Sequence, residues 1–226
     1  MNKRMQVCKN LMPYGLLAIA GIIAFAPVSF MLLSLKNDIL SIDYPIKYFI
    51  SQCIQNGSLP FWFNTWAMGF PIESFLTWSI FSPLQLLTGL CGVYNIYWLH
   101  GEFMFYVLLS GWGMYGLLQQ RNNNVALHWI LACSYMLSGF IVGSSQWFTY
   151  ITAAAFLPLL AAAYLNVLQL RGARHIALFA AVFYIMLTSV YPAFMVISCY
   201  LLAVVSIYFL LREKTRENHH KNQQLF

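Results

Sequence analysis

Long apolar stretches separated by short charged clusters dominate this chain. Predominantly apolar runs cover residues 11–35, 95–118, 125–143, 151–170 and 176–211. A bilayer core of about 30 Å needs roughly 20 helical residues, and runs of this kind are typical of membrane-spanning helices. The last run is too long for one span, and Tyr191 and Pro192 divide it. The pattern therefore predicts an all-α, polytopic bundle of six spans.

Residues 36–94 interrupt this pattern, and we call them the first loop segment. Within it, residues 77–90 form an apolar stretch that is short for a span and contains Pro83. We expect this stretch to lie in or against the membrane interface as a helix. Aromatic residues in or beside the segment suit the membrane-water boundary: Trp62, Trp66, Trp78, Tyr94, Tyr97 and Trp98.

The cations predict the orientation, because short cytoplasmic loops carry an excess of Lys and Arg. With six spans and a cytoplasmic N-terminus, only Lys36 and Lys47 fall outside. The other ten cations fall inside: Lys3, Arg4, Lys9, Arg121, Arg171, Arg174, Arg212, Lys214, Arg216 and Lys221. We expect a transmembrane domain over residues 1–211, with the first loop segment external, and a cytoplasmic tail over residues 212–226. The first run has no cleavage site and is predicted to be a retained anchor.

Composition excludes several functional classes. Hydrophobic residues make up 61% of the 226 residues and charged residues 8%, so lipid is the predicted solvent for most of the chain. The net charge of +6 is explained by clusters that set orientation, which leaves nucleic-acid binding unsupported. The five cysteines lack metal-binding or redox spacing. Cys53 and Cys91 are predicted either to form a disulfide or to remain free thiols.

The few carboxylates are unevenly placed. Asp38, Asp43 and Glu73 lie in the first loop segment, and Glu102 lies near the outer end of the second span. A carboxylate just beyond the first span can act as a general base on a hydroxyl, or hold a divalent metal against a phosphate. The alternative is that Asp38 and Asp43 only solvate a loop.

Glu102 lies one turn into an apolar run, close to His100. An ionisable residue at membrane depth is costly enough to be a functional candidate. If the span begins a few residues later, both side chains sit in the headgroup region at little cost. Both readings stay open from sequence.

One group of residues in the first loop segment resembles a known family. Asp38, the pair Tyr44-Pro45, the stretch GSLPFW and the stretch MGFP resemble the first external loop of YfhO-type bacterial membrane proteins. The matching residues are Asp38, Tyr44, Pro45, Gly57, Leu59, Pro60, Trp62, Gly69 and Pro71. The stretches SGWGMYGLLQQR, ACSYMLSGF and AAFLPLLAAAYLN extend the resemblance to about residue 166.

The resemblance implies a GT-C-like membrane glycosyltransferase. Such an enzyme moves a sugar from a polyprenyl-phosphate donor, which enters from the membrane lipid, to an envelope glycan or lipid acceptor outside the bacterial cytoplasmic membrane. It implies Asp38 as the catalytic carboxylate, with Asp43 as the alternate and a divalent metal as an open role. From charge and placement we expect the other site residues to bind substrate: Lys47, Trp62, Glu73, His100 and Glu102.

Two departures accompany the resemblance. The family's W-N-P is replaced here by Trp62, Phe63 and Asn64. Family members are also several times longer, so the chain resembles their N-terminal portion, and a protein partner is expected to supply the missing C-terminal spans. The alternatives are a non-catalytic membrane subunit, a carrier of a lipid-linked substrate, or an inactive fragment.

Overall fold

The computed structural model describes residues 3–64, 68–74, 76–78, 81–120, 124–170 and 172–223, and this part of the chain is mostly helical. Trp66, Arg121 and Arg171, which the sequence analysis used, lie outside the described residues. The α-helices are α1 (Lys3–Ala24), α2 (Ala26–Ser29), α3 (Tyr44–Gln55), α4 (Pro83–Cys91), α5 (Ile96–Gln119), α6 (Val125–Met136), α7 (Gly139–Gly143), α8 (Phe148–Leu170), α9 (Ala173–Ser189) and α10 (Pro192–Gln223).

Helix α8 lies at the centre of the bundle. It packs against α5 on one side and α9 on the other, and α5 packs in turn against α6 and α1. The largest buried cluster includes side chains from α5 and α8, among them Phe103, Val107 and Phe156. The N-terminus of α8 lies where the first loop segment meets the bundle, since the Ile39 N–H bonds to Gln146 and Lys47 contacts Phe148.

Glycines allow close helix contacts at only some of the expected positions. A Cβ on Gly111 would lie 2.9 Å from the Met136 sulfur, and one on Gly113 would lie 3.0 Å from Leu159 Cγ. The sequence suggests packing positions at Gly111, with Tyr115 and Gly116, and at the Gly139 and Gly143 pair, but a Cβ on Gly139 or Gly143 would have no neighbour within 4 Å. Small residues admit a neighbouring helix only where the bundle presses against them, and here that includes α5 and Gly21 of α1, where a Cβ would lie 2.7 Å from Leu108 Cδ2.

Three helical stretches in the described residues are long and apolar enough to cross a membrane. They are Val125–Gly143, Phe148–Gln169 and Pro192–Arg212. The apolar stretches Leu11–Ala24 and Ala173–Ser189 are shorter. Helix α5 has the length but falls outside this group, and it carries Glu102 and His100 among its apolar residues. The chain thus has the character of a membrane protein.

The predicted first span does not form one helix. Helix α1 ends at Ala24, a short α2 follows, and residues 30–38 leave the regular helix. Pro27 explains the break, because proline lacks an N–H donor and restricts the residue before it. The division of the last run is confirmed, since α9 ends at Ser189 and α10 begins at Pro192.

The first loop segment has a small core of its own. Ile46 and Ile50 of α3 bury against Phe63 and Ile72. Phe63 lies in strand β1 (Trp62–Phe63), which pairs antiparallel with β2 (Phe70–Pro71). Two short 3-10 helices follow, Ile72–Ser74 and Leu76–Trp78. The helix predicted over residues 77–90 begins only at Pro83, where the Ser82 side chain caps α4.

The two cysteines of the first loop segment are free thiols. Cys53 is partly buried in α3, and Cys91 is exposed at the end of α4. The disulfide alternative is therefore not the arrangement seen here.

Candidate functional site

The start of the first loop segment lies against the residues that precede α8. The Asn37 side-chain amide donates a hydrogen bond of 2.6 Å to Gln146 Oε1, and the Ile39 backbone N–H donates one of 3.2 Å to the Gln146 carbonyl. The Trp147 indole N–H donates a 2.9 Å hydrogen bond to Asp38 Oδ2. Asp38 is therefore half-buried and held in a defined position.

A groove of about 400 Å³ opens beside this contact. Its apolar wall includes Phe25, Val28, Leu33, Leu35, Phe103 and Val142. Its polar residues are Ser34, Lys36, Asn37, Ser145 and Gln146. The groove therefore joins apolar and polar linings, and Asp38 directly follows its wall residue Asn37 in the chain.

A short π-helix over Ile39–Asp43 leads from Asp38 into α3 and positions Asp43. π-Helical turns are rare and often occur at functional sites. Asp43 is only 5% exposed, and its Oδ1 accepts a 2.8 Å hydrogen bond from the Trp78 indole N–H. The pKa of Asp43 is raised to about 6, chiefly by burial and to a smaller extent by the charge of Glu102. The hydrogen bonds from Trp78 and the Phe148 backbone and the charge of Lys47 oppose this rise.

Lys47 and Glu102 form a buried ion pair between α3 and α5. Lys47 Nζ lies 2.7 Å from Glu102 Oε1, and the two side chains are 8% and 10% exposed. The Tyr94 and Tyr106 hydroxyls donate hydrogen bonds of 2.6 and 2.9 Å to the Glu102 carboxylate. The Lys47 ammonium also lies 3.7 Å from the centre of the Phe148 ring, a cation–π contact. Both charges are thus compensated.

Helix capping sets the residue at which α5 begins, close to α3. The Asn95 side chain accepts hydrogen bonds from the backbone N–H groups of Tyr97 and Trp98, so α5 begins directly after Asn95. The Tyr94 backbone N–H donates a 2.7 Å hydrogen bond to Ser51 Oγ of α3. Glu102 therefore lies near the start of α5, where Lys47 can reach it.

Burial and the Glu102 charge raise the pKa of the Tyr94 hydroxyl well above its ordinary value. The phenol consequently stays protonated and acts as a donor to the carboxylate. This hydrogen bond keeps Glu102 satisfied on the side away from Lys47.

A small polar cavity of about 20 Å³ adjoins these charged groups. A volume of this size holds roughly one water molecule and is far too small for a sugar. Its lining comprises Asp43, Lys47, Thr77, Trp78, Ser82, Leu84, Gln85, Glu102, Tyr106, Phe148, Thr149, Thr152 and Ser189. The cavity can therefore hold only a small species, and it shares no lining residue with the groove beside Asp38.

The structure brings together only part of the predicted site. Asp43, Lys47 and Glu102 form one buried charged cluster. Asp38 is linked to it through the adjacent residues Trp147 and Phe148.

Three predicted substrate-binding residues lie elsewhere. The His100 ring Nδ1 lies 3.2 Å from the Val28 carbonyl oxygen and so faces α2, because residues two apart on a helix do not share a face. Trp62 is 56% exposed in β1, where its indole leaves no room for a side chain at Gly69. Glu73 lies in the 3-10 helix Ile72–Ser74.

The sequence analysis missed the partners of the carboxylates. Trp78 and Tyr94 were interpreted as interfacial anchors, although each uses its polar atom on a carboxylate. Tyr106 follows Glu102 by four residues, which is the helical spacing that places two side chains on one face. That spacing could have predicted the contact between Tyr106 and Glu102. The pairing of Trp147 with Asp38 spans 109 residues, and no sequence pattern predicts it.

Replacing Lys47 with methionine should destabilise the protein by about 3–5 kcal/mol, because it leaves the Glu102 charge buried without its cation. Unfolding of the detergent-solubilised protein would measure the loss. Lys36→Met is the matched control, since Lys36 is exposed, and we expect a change within about 0.5 kcal/mol. Equal stabilities of the two variants would contradict the structural role of the ion pair.

The raised pKa of Asp43 predicts a pH-dependent stability. The folded protein holds the Asp43 proton up to about pH 6, whereas the ordinary carboxyl loses it near 3.8. The contribution of Asp43 is therefore greatest below about pH 4 and falls by about 3 kcal/mol as the pH rises through 6. Melting temperatures from pH 4 to 8, compared with those of Asp43→Asn, would measure it. A parallel pH profile in the two proteins would show that Asp43 does not titrate in this way.

Comparisons with known proteins identify no relative of this chain. No protein-family model, curated protein or solved structure matches the chain. The resemblance in the first loop segment therefore stays a prediction, and the case for function depends on the contacts described above.

Proposed function

We propose that this chain is a GT-C-like glycosyltransferase of the bacterial cytoplasmic membrane, with six spans, both termini in the cytoplasm and the first loop segment outside. The observation that carries the proposal is that Asp38, held by Trp147, directly follows Asn37, which lines a groove that joins apolar and polar linings. A polyprenyl-phosphate sugar has the same two-part chemistry.

The groove suits this donor in size and in lining. A volume of about 400 Å³ lies within the usual range of small-molecule sites. The prenyl chain would lie along Phe25, Val28 and Leu33, and the phosphate would lie near Lys36. The donor would enter sideways from lipid, because the apolar wall includes residues at the end of α1 and in α2.

Lys36 takes the role first given to Lys47. Lys47 is committed to Glu102 at 2.7 Å and is buried, whereas Lys36 is exposed and lines the groove. A cation beside the phosphate stabilises the charge that develops as the glycosidic bond breaks.

Asp38 would act as the general base. Its carboxylate would accept the proton of the acceptor hydroxyl while that oxygen attacks the anomeric carbon of the sugar. The bond from that carbon to the phosphate oxygen breaks, and polyprenyl phosphate leaves as the anion. The acceptor would be an envelope glycan or lipid. The Trp147 hydrogen bond would keep Asp38 oriented toward the acceptor.

A metal-binding role for Asp38 is the alternative mechanism. Within the described residues, no three His, Cys, Asp or Glu side chains form a group that could hold a metal ion. A divalent ion at Asp38 would therefore take its other ligands from the donor phosphate and from water.

A carrier of lipid-linked molecules would use the same groove without bond chemistry. Such a protein, or a non-catalytic subunit, would need the apolar wall and Lys36 but not a base. Asp38 distinguishes these functions, since its replacement should abolish transfer and leave carriage intact.

Asp38→Asn should lower sugar transfer by about 10²–10⁴-fold, which is the usual contribution of a positioned general base. Membranes containing the full chain would be supplied with a radiolabelled polyprenyl-phosphate sugar pool, and labelled acceptor would be counted. Asparagine keeps the size of the side chain and can accept the Trp147 hydrogen bond, so insertion and stability should be unchanged.

One control variant and two outcomes separate the alternatives. Lys36→Met should weaken donor use without removing the base, so transfer should recover at high donor concentration. Equal transfer by Asp38→Asn and the unaltered chain would refute Asp38 as the base. Donor binding without transfer in the unaltered chain would favour the carrier.

A further inference from the structure

The buried cluster around Asp43 does not balance its charges. It contains two carboxylates, Asp43 and Glu102, and one ammonium, Lys47. Among the described residues, Lys47 and Glu102 form the one ion pair, and Asp43 takes part in none. A buried charge without an ion-pair partner is costly, so this arrangement favours one further positive charge.

The small polar cavity lies beside Asp43, where the further positive charge would bind. It is lined by Asp43 and by hydroxyl-bearing side chains from several elements. Ser82 and Ser189, whose hydroxyl oxygens lie 2.7 Å apart, join the start of α4 to the end of α9 at the cavity wall. The volume of about 20 Å³ accommodates one water molecule or one dehydrated ion of similar size.

Gln85 provides a second, independent sign of a ligand. It lines the cavity and is only 8% exposed, yet within the described residues its side-chain amide makes no hydrogen bond. Polar side chains with so little exposure are usually paired, and this one opens to the cavity instead. A ligand in the cavity would satisfy the Gln85 carbonyl oxygen.

We propose that this cavity binds a single sodium ion, with the Asp43 carboxylate supplying its charge and Gln85 and neighbouring hydroxyls supplying neutral oxygen ligands. The proposal does not rest on glycosyl transfer. Carboxylate, amide and hydroxyl oxygens are hard ligands, which suit alkali and alkaline-earth ions. One unbalanced negative charge favours a monovalent ion, and the Lys47 ammonium nearby opposes a divalent one.

The site would also tie together separate parts of the chain. Asp43 precedes α3, Gln85 lies in α4, Thr149 and Thr152 lie in α8, and Ser189 ends α9. An ion bound to these elements stabilises the folded state but not the unfolded chain.

The test is a melting-temperature titration of the full chain in detergent at pH 8. Sodium chloride replaces choline chloride at a constant ionic strength of about 0.1 M, so that general screening is unchanged. The unaltered protein should show a saturable rise in melting temperature with sodium. Asp43→Asn should lose that rise, whereas Glu73→Gln, which removes a carboxylate outside the cavity, should keep it.

Gln85→Met provides a second variant if Asp43→Asn does not fold. It keeps the approximate size of the side chain and removes one neutral ligand, and we expect at least a tenfold higher half-saturating sodium concentration. Equal melting temperatures of the unaltered protein in sodium and choline would overturn the proposal. A full sodium response in either cavity variant would also overturn it.

Discussion

The ion pair between Lys47 and Glu102 joins the first loop segment to the helical bundle in a place that bulk water barely reaches. Two charges in such a place are costly unless their remaining hydrogen-bonding positions are also used. The Tyr94 and Tyr106 hydroxyls donate hydrogen bonds to the Glu102 carboxylate, and the Phe148 ring covers the Lys47 ammonium. If either partner is lost, water cannot readily solvate the charge that remains. The pair therefore holds α3 against α5.

The position of Asp38 follows from the same contacts. Phe148, which meets Lys47, is the first residue of α8, and the preceding Trp147 holds Asp38. The π-helix Ile39–Asp43 leaves only one turn between the two carboxylates. Asp38 and the groove thus depend on the docking of α3, even though the buried cluster does not face the groove. The buried cluster is thus separate from Asp38, the proposed base.

Much of the bundle could be predicted from sequence because its signals are local. Asn95 caps α5, and Pro192 separates α9 from α10, so both boundaries lie within a residue or two of the predicted positions. The end of α1 at Ala24 was missed because the apolar run continues past Pro27. Hydrophobicity records a preference for lipid or a core, whereas Pro27 acts on the backbone, and the backbone decides where the helix ends.

The site was only partly predictable for a different reason. Asp43, Lys47 and Glu102 were identified singly, from charge and placement, but Lys47 and Glu102 are 55 residues apart in the chain. No periodicity relates side chains on different elements, so their pairing and the cavity beside them emerge only in three dimensions. His100 is two residues from Glu102 in the chain but lies on another face of α5, so closeness in sequence does not bring these two side chains together.

Hydrogen exchange of backbone amides tests the central claim most directly, since it reports where structure opens. The comparison is between the unaltered chain and a Glu102→Gln variant, which keeps the shape of the side chain but removes its charge. The account predicts faster exchange in α3 (Tyr44–Gln55) and in residues 37–43, with the protection of α8 unchanged. Unchanged protection throughout α3 would contradict the claim that this ion pair holds the first loop segment on the bundle.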